Sequence, residues 1–282
     1  MTPDQYCQQK TAKSGSSFYY SFLFLTPEKR QAITALYTFC READDIVDDC
    51  TDPAIAESKL DWWREEINRL YSNKPDHPVS LALSDALKSF NLHKEYFDEI
   101  IDGMQMDLHI AQYQNFNDLL LYCHRAAGVV GLLATEIFGY QHRDTLKFAE
   151  NLGIAFQLTN IIRDVKEDAL RGRIYLPMDE LSQFNVTPDD LQQPITKESV
   201  RQLLKFQVER AKKYYTKAFS LLHKDDRSNQ RSAVIMSSIY QTILSEIEND
   251  DFRIMEHRIK LTPLRKFWIA WKTARREKKI CR

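Results

Sequence analysis

The amino-acid sequence predicts an all-α protein. Apolar residues recur every three or four positions through most of the chain, and no run alternates apolar and polar residues over the length of a strand. Only 7 Gly and 9 Pro occur among the 282 residues, so few positions interrupt a helix. The predicted helices cover residues 27–50, 53–72, 79–90, 93–112, 116–139, 143–169, 197–223, 229–257 and 263–279.

The starts of the early helices carry local signals. Thr26 before Pro27, and Asp52 before Pro53, each combine a capping residue with a proline at the first helical position. Residues 73–78 form a turn cluster between the second and third predicted helices. These signals agree with the boundaries that the apolar periodicity predicts.

One domain is expected over residues 1–282, because no repeat or low-complexity linker divides the chain. Residues 171–199 contain three prolines and lie between predicted helices, so we interpret them as a functional loop. Residues 263–282 form a basic amphipathic tail with eight Lys or Arg against one Glu. Its aromatic residues fit peripheral contact with an anionic membrane, and equally a terminal helix packed by its tryptophans.

The composition limits the classes of function. A formal net charge of −1 gives no support for nucleic-acid binding. Five cysteines without a Cys-x-x-Cys pair indicate reduced thiols. The N-terminus lacks the features of a signal peptide, and residues 126–140, the most apolar stretch, are too short to span about 30 Å of hydrocarbon. We therefore expect a cytoplasmic protein, with peripheral attachment to the inner face of the cell membrane left open.

Five carboxylates lie within residues 41–49, at the end of the first predicted helix. Each like-charged pair at i,i+4 costs about 0.2–0.5 kcal/mol unless a cation lies between its members. Helical phase places Asp44 and Asp48 at the edge of the inward face and turns Asp45 and Asp49 away from it. Alone, the segment is also typical of a solvated acidic helix end.

A polar strip marks the helix predicted over residues 143–169, which is otherwise apolar on nearly every face and therefore buried. The strip consists of Gly153, Gln157, Asn160, Asp164 and Asp168. Because buried carboxylates without partners are costly, the strip predicts bound cations or a network with arginines.

Two helices with inward carboxylates indicate a shared site inside a helical bundle. Oxygen ligands without His or Cys favour Mg²⁺, which usually completes its shell with water and substrate phosphate. We therefore expect a phosphate-bearing substrate. A di-iron bundle is the rival interpretation, but its Glu-x-x-His pattern does not occur.

The chain resembles the squalene and phytoene synthase family, whose members join two prenyl chains head to head. The resemblance covers nearly the whole chain and rests on ordered motifs, such as Gln-Leu-Thr-Asn-Ile-Ile-Arg-Asp-Val-Lys-Glu-Asp. These motifs occupy residues 14–18, 41–49, 102–107, 122–128 and 157–168, followed by 171–177. The resemblance implies an isoprenoid-synthase helical bundle with a central active-site cavity.

The resemblance also implies residue roles. Five residues match the two metal motifs and would hold two or three Mg²⁺ ions against the diphosphate: Asp44, Asp48, Asn160, Asp164 and Asp168. Tyr122 matches the family tyrosine near the reacting carbons, so Tyr122, Asp44, Asp48 and Asp164 are the expected catalytic residues.

Further residues are expected to contact the substrate: Ser16, Ser17, Phe18, Arg41, Gln157, Arg163, Arg171, Arg173 and Tyr175. Several family members carry a basic residue within the stretch 14–17, so here that loop would offer hydroxyl or backbone donors. The expected walls of the apolar tunnel are Phe18, Phe22, Val130, Leu133 and Phe156.

Within the family, residues 15–25 and 172–181 look most similar to hopanoid-pathway enzymes. They favour a farnesyltransferase that condenses two farnesyl diphosphates 1′-1 to presqualene diphosphate in squalene or hopanoid biosynthesis. The alternatives are a phytoene or dehydrosqualene synthase and a non-catalytic assembly factor, which the five retained metal ligands disfavour. NADPH is not expected, and pathway enzymes are conceivable partners.

Overall fold

The computed structural model describes residues 1–13 and 17–280, and within them the chain forms one all-α domain, as predicted. The helices are α1 (Pro3–Lys13), α2 (Ser17–Phe22), α3 (Pro27–Asp49), α4 (Pro53–Tyr71), α5 (Pro78–Leu87), α6 (Lys94–His109), α7 (Phe116–Cys123), α8 (Val129–Phe138), α9 (Asp144–Leu170), α10 (Met178–Gln183), α11 (Glu198–Leu221), α12 (Arg231–Asn249) and α13 (Pro263–Ile280). Among these residues, β pairing is limited to a bridge between Gln112 and Ile174.

Helices α3 and α4 begin where the capping signals predict. The Asp52 carboxylate accepts a hydrogen bond from the Ala54 N–H at 2.9 Å, whereas the Thr26 side chain makes no capping bond. Pro27 nevertheless suits the start of α3, because its fixed φ is helical and it has no N–H to leave unpaired.

Two buried apolar cores contribute to the walls of one central cavity. The first is built from α1, α3, α4, α5, α6 and α8, and in it the Phe39 ring packs edge-on against Trp63 and Phe97 at 5.3 and 5.2 Å. The second is built around α9, which packs extensively against α11, and includes α7, α12 and α13. The central cavity predicted for the bundle is therefore present.

The predicted helix over residues 116–139 is interrupted by a π turn, His124–Gly128, which joins α7 to α8. The run Phe116–Phe138 is long and apolar enough to cross a membrane, but 44% of its most apolar window is buried inside the fold. Leu119, Cys123 and Leu133 within it are fully buried, so here the run serves as a core helix.

Two glycines let this run approach α9 closely. A Cβ on Gly153 would lie 2.3 Å from the Ala127 carbonyl oxygen, and one on Gly131 would lie 2.5 Å from that of Ala149. Real Cβ atoms do not make such contacts, so only glycine permits the observed separation of the two backbones.

The C-terminal half differs from the prediction in two places. Helix α12 ends at Asn249 rather than near residue 257, because Asp251 and Phe252 adopt φ of 54° and 56°, outside the helical region. Residues 250–262 instead form an irregular strap that leads to α13. The loop predicted over residues 171–199 contains α10 and a short 3₁₀ turn, Pro188–Gln192.

Candidate active site

A cavity of about 870 Å³ occupies the centre of the molecule and is lined by α3, α6, α8, α9, α12 and the strap over residues 250–262. Every described side chain that was predicted to contact metal or substrate lines it. Ser16 and the side chain of Ser17 lie outside the described residues. The structure therefore brings together thirteen of the fifteen predicted site residues, from motifs far apart in the chain.

The carboxylates of α3 are held by guanidinium groups. Arg41 Nη1 donates to Asp44 Oδ2 at 2.8 Å, and Arg173 Nη1 donates to Asp48 Oδ1 at 2.9 Å. Arg171 Nη1 lies 3.3 Å from the same Asp48 oxygen. Asp45 does not line the cavity but lies 3.0 Å from Lys10 Nζ, so the helical phase separated the aspartates correctly.

On α9, Asp164 is shared by two arginines. Arg163 donates to both of its oxygens at 2.8 and 2.6 Å, and Arg258 from the strap donates to Oδ1 at 2.7 Å. The nearby Asn160 uses its amide nitrogen to bond Gln157 Oε1 at 3.2 Å. Its oxygen, Asn160 Oδ1, is buried and has no hydrogen-bond partner among the described residues. Such an orphaned acceptor fits a cation or donor arriving with a ligand.

A second cluster joins Tyr122 to Asp107. The Tyr122 and Tyr175 hydroxyls donate to the two oxygens of Asp107 at 2.9 and 2.7 Å, and their rings stack at 5.1 Å. Gln157 Nε2 lies 3.3 Å from the Tyr122 oxygen. The cluster therefore connects α6, α7 and α9 to the loop that follows α9.

The carboxyl groups of the cavity are short of compensating charge. Burial is the main cause that raises the pKa of Asp44 to about 6, and it raises the pKa of Asp107 to about 7. Burial, with the neighbouring carboxylates Asp164 and Asp107, also raises the pKa of Asp168 to about 7. Added positive charge would favour the ionised form of all three groups.

The five predicted metal ligands line one cavity, but arginines hold three of them. A search of residues 1–13 and 17–280 for three His, Cys, Asp or Glu ligand atoms within 4.8 Å of one another finds such a group outside this cavity, at His142, His223 and Asp225. The donor set itself fits a hard cation, because it consists of carboxylate and amide oxygens and includes the orphaned Asn160 oxygen.

The sequence analysis missed Asp107 and Arg258 as cavity residues. Asp107 lies in the motif over residues 102–107, but the motif's other carboxylate, Asp102, pairs outside the cavity with Arg64 at 2.7 Å. Ile100, Met104 and Asp107 follow one another on α6 at spacings of four and three residues and all face the cavity, a pattern that could have identified Asp107. Arg258 was missed because the last predicted helix before it ran to residue 257, so the strap that brings Arg258 to the cavity was not expected.

The apolar walls are largely those expected. Phe18, Phe22, Val130 and Phe156 line the cavity, and the Phe18 and Phe156 rings meet edge-on at 6.3 Å. The prediction for Leu133 is wrong, since it is fully buried in the first core and does not face the cavity.

Comparisons with known proteins agree with this geometry. The sequence matches the family model of squalene/phytoene synthase over residues 11–265. A phytoene synthase from Arthrospira platensis is 39% identical over 268 residues, which cover 89% of this chain and 86% of the relative. Cyanobacterial and plant relatives at 34% or 35% identity carry the name phytoene synthase or 15-cis-phytoene synthase.

Two solved structures share the fold. The crystal structure of a dehydrosqualene synthase in complex with ligand superposes with a TM-score of 0.88 and 27% identity, covering 98% of this chain and 97% of the other. The crystal structure of squalene synthase HpnC from Alicyclobacillus acidocaldarius gives a TM-score of 0.79 and 26% identity, covering 89% and 95%.

The expectation that the chain makes presqualene diphosphate for squalene or hopanoid biosynthesis is wrong, because the relatives at 34–39% identity are named phytoene synthases. That expectation was based on residues 15–25 and 172–181, which carry no information about the length of the prenyl chain. Part of residues 15–25 lies outside the described residues, and in residues 172–181 Arg173 and Tyr175 contact Asp48 and Asp107. Such contacts would serve a diphosphate on any prenyl chain.

Proposed function

The chain belongs to the squalene/phytoene synthase family, and from this premise we propose that it condenses two geranylgeranyl diphosphates head to head to phytoene. The names of its relatives support this product. The observation that carries the proposal is a single cavity lined both by the two carboxylate helices and by continuous apolar walls. Such a lining suits a molecule with a charged diphosphate and a long hydrocarbon tail.

Asp44, Asp48, Asn160, Asp164 and Asp168 would hold Mg²⁺ at the diphosphate. When bound, the metal neutralises the leaving diphosphate as its C–O bond to the prenyl carbon breaks. The raised pKa values of Asp44 and Asp168 and the orphaned Asn160 oxygen support the assignment, since burial outweighs the nearby positive charge at both carboxyl groups and the Asn160 oxygen has no hydrogen-bond donor among the described residues.

The arginines would bind diphosphate oxygens, because a guanidinium fork matches that geometry. Arg41, Arg163, Arg171 and Arg173 contact the carboxylates, and Arg258 joins them from the strap. These arginines keep the acidic side chains ordered in the metal-free protein. They are then already placed around the space in which the diphosphate would bind.

Tyr122 would contribute at the reacting carbons. Its hydroxyl donates to Asp107 and accepts from Gln157, so a proton taken from the substrate by the Tyr122 oxygen would be balanced by passage of the hydroxyl proton to the Asp107 carboxylate. The face of its ring can stabilise positive charge on the prenyl carbon. Tyr175 shares the same carboxylate and stacks on Tyr122, which fixes the orientation of the ring. Phe18, Phe22 and Phe156 would exclude water from the cation.

The test is product analysis of the purified protein with Mg²⁺ and either geranylgeranyl or farnesyl diphosphate, with and without NADPH. Phytoene from the C20 substrate, without any need for NADPH, is the expected result. Turnover of neither substrate by folded protein would overturn the proposal.

A dehydrosqualene synthase is the second candidate, favoured by the superposition on such an enzyme over 98% of this chain. It would use the C15 substrate in the same cavity. Dehydrosqualene as the main product, with little phytoene when the two substrates compete at equal concentration, would replace the first candidate by the second.

Peripheral membrane contact through α13 belongs to the same proposal. One strip of this helix is buried, at Ala270, Thr273, Ala274 and Glu277. Another strip exposes Leu264, Phe267 and Trp268 by 83%, 48% and 57% among exposed Lys and Arg side chains. The Trp268 ring stacks on the half-buried Trp271 at 5.1 Å but leaves more than half of its surface exposed. An exposed aromatic strip among basic side chains is typical of a helix that lies on an anionic surface.

Sedimentation with phosphatidylglycerol and phosphatidylcholine vesicles tests this contact. The wild-type protein should bind the anionic vesicles preferentially, and Phe267→Ser with Trp268→Ser should reduce binding. Trp62→Ser, which removes a tryptophan that is 40% exposed on α4, is the matched control. Equal binding by all three proteins would contradict the assignment.

A further inference from the structure

Two histidines and an aspartate converge at one end of the molecule, outside the candidate active site. His142 lies in the loop between α8 and α9, whereas His223 and Asp225 lie in the loop between α11 and α12. None of the three lines the central cavity. Their imidazole and carboxylate ligand atoms all lie within 4.8 Å of one another.

The spacing of these atoms is that of a metal coordination shell. His142 Nε2 and His223 Nδ1 each lie 3.4 Å from Asp225 Oδ2. Bond lengths of about 2.0–2.1 Å to a tetrahedral zinc ion place neighbouring ligand atoms roughly 3.3–3.4 Å apart. The two rings lie 3.6 Å apart between centroids with 33° between their planes, and each places a nitrogen beside the same Asp225 oxygen.

The two loops are already fixed to each other by the residue next to Asp225. The buried Asp226 carboxylate accepts hydrogen bonds from the Gln141 and His142 N–H groups at 2.6 and 2.9 Å, and from Thr145 Oγ1 at 2.6 Å. A metal ion would therefore meet ligands whose backbones are held in place, with little ordering cost. The metal would displace the 3.3 Å hydrogen bond from the Asp225 N–H to His223 Nδ1 and the 3.4 Å hydrogen bond between His142 Nε2 and Asp225 Oδ2.

We propose that His142, His223 and Asp225 form a transition-metal site of the zinc type, with water as the fourth ligand. The side chains are 40%, 49% and 59% exposed, so an ion can reach them and a water molecule can complete the shell. Two imidazoles and one carboxylate favour zinc over Mg²⁺, which prefers oxygen ligands. The bound ion would brace the ends of α9 and α11, the helix pair at the centre of the second core.

Cobalt is the probe that tests this site, because tetrahedral Co²⁺ with histidine ligands absorbs visible light far more strongly than octahedral Co²⁺ bound by oxygen. Chelator-treated protein is titrated with Co²⁺ and then with Zn²⁺. We expect one tetrahedral cobalt per chain, displaced by Zn²⁺. Loss of a group that only orients a metal ligand costs about 10- to 100-fold in metal affinity, so loss of a ligand itself, in His142→Ala or His223→Ala, should weaken cobalt binding at least about tenfold.

His109→Ala is the matched control, since His109 is an exposed histidine beside the single carboxylate Glu57. It should bind cobalt like the wild type. Zn²⁺ should also raise the Tm of the wild type and of His109→Ala, but not that of His142→Ala. Absence of a tetrahedral spectrum, or an unchanged spectrum in both His142→Ala and His223→Ala, would refute the site. Prenyl transfer with Mg²⁺ is measured separately and decides only the proposed function.

Discussion

Asp107 occupies a singular position among the carboxylates of the cavity, since two tyrosine hydroxyls rather than arginines donate to it. Burial raises its pKa to about 7, near neutral pH, whereas the pKa values of Tyr122 and Tyr175 are raised above the ordinary value of 10. It is therefore the residue through which Tyr122 and Tyr175 are jointly positioned.

Replacing Asp107 should impair turnover without unfolding the protein. Asp107→Asn keeps the shape but turns one acceptor into an NH₂ group that faces a tyrosine hydroxyl, at a cost of about 1–3 kcal/mol. If that cost falls on the transition state, kcat/KM falls by roughly 5- to 150-fold. Steady-state kinetics checks this, with Asp102→Asn outside the cavity as the control. Equal kcat/KM for Asp107→Asn and the wild type would remove Asp107 from the site.

The metal assignment is tested by paired substitutions on α3. Asp44 lines the cavity, whereas Asp49, five residues on, is exposed and does not. Asp44→Ala should abolish Mg²⁺-dependent turnover and Asp49→Ala should leave it nearly unchanged, with circular dichroism reporting an intact helical fold in both. Asp164→Ala on α9 should behave like Asp44→Ala. A folded Asp44→Ala or Asp164→Ala protein with full activity would refute the role of that aspartate.

At this scale, helical phase identified the carboxylates that face the cavity, whereas Tyr122, Tyr175 and Phe18 were expected there from the family resemblance. The rotation of 100° per residue along α3 places Asp44 and Asp48 at the edge of the inward face and Asp45 outside it. The contacts of the arginines could not be predicted, because Arg173 and Arg258 reach their aspartates from loops whose path depends on tertiary structure. The roles assigned to the site residues stay predictions.

The elements of the fold depend on close approach as much as on apolar periodicity. Helix α9 meets the run that contains the π turn and α8 at Gly131 and Gly153, where backbone atoms occupy the places of side chains. Periodicity predicted both helices but not the π turn between residues 124 and 128, because residues 126–138 are apolar on most faces and a shift in helical phase leaves no visible break in their pattern. The end of α12 was not predicted because its positive φ angles occur at Asp251 and Phe252, where the sequence has no glycine to indicate such a conformation.

Gly153→Ala tests this approach. The new Cβ would meet the Ala127 carbonyl oxygen at 2.3 Å, and because that neighbour is backbone, the helices must separate at a cost of about 1–3 kcal/mol in unfolding free energy. At Gly128 the Cβ would instead meet the His124 ring at 3.3 Å, which can shift. Gly128→Ala should therefore be near neutral, helped by the better helix propensity of alanine. Urea unfolding of both variants is the measurement, and equal stability would contradict the steric argument.

For the whole molecule, fold and family could be predicted from sequence, but the product could not. The ordered motifs reflect diphosphate chemistry that all members share, whereas prenyl length depends on how the apolar walls of the two cores enclose the cavity. Those walls come from helices distant in sequence, and no local pattern measures the space between them. The motifs had favoured presqualene diphosphate as the product, and the names of the relatives, which are phytoene synthases, contradict that prediction.

The metal-free protein should become less stable as pH rises from about 5 to about 8. Asp44, Asp107 and Asp168 have folded-state pKa values of about 6 to 7, above the ordinary value of 3.8, so the folded state holds protons that the unfolded chain has released. Their contribution is complete at low pH and is lost as pH rises through 6 and 7. Below about pH 5, carboxyls with lowered pKa such as Glu66 and Asp226 act in the opposite sense.

Thermal unfolding in chelator at four pH values measures this slope, and Mg²⁺ should then reverse it, because the cation favours the ionised carboxylates. The Mg²⁺-induced rise in Tm should be larger at pH 8 than at pH 6, and binding near pH 6.5 should release protons, which calorimetry in two buffers detects. Asp168→Asn removes one of the three groups and should flatten the slope. A Tm that rises from pH 5 to pH 8 in chelator, with Asp168→Asn unchanged from the wild type, would show that these three carboxyl groups do not set the pH dependence of stability.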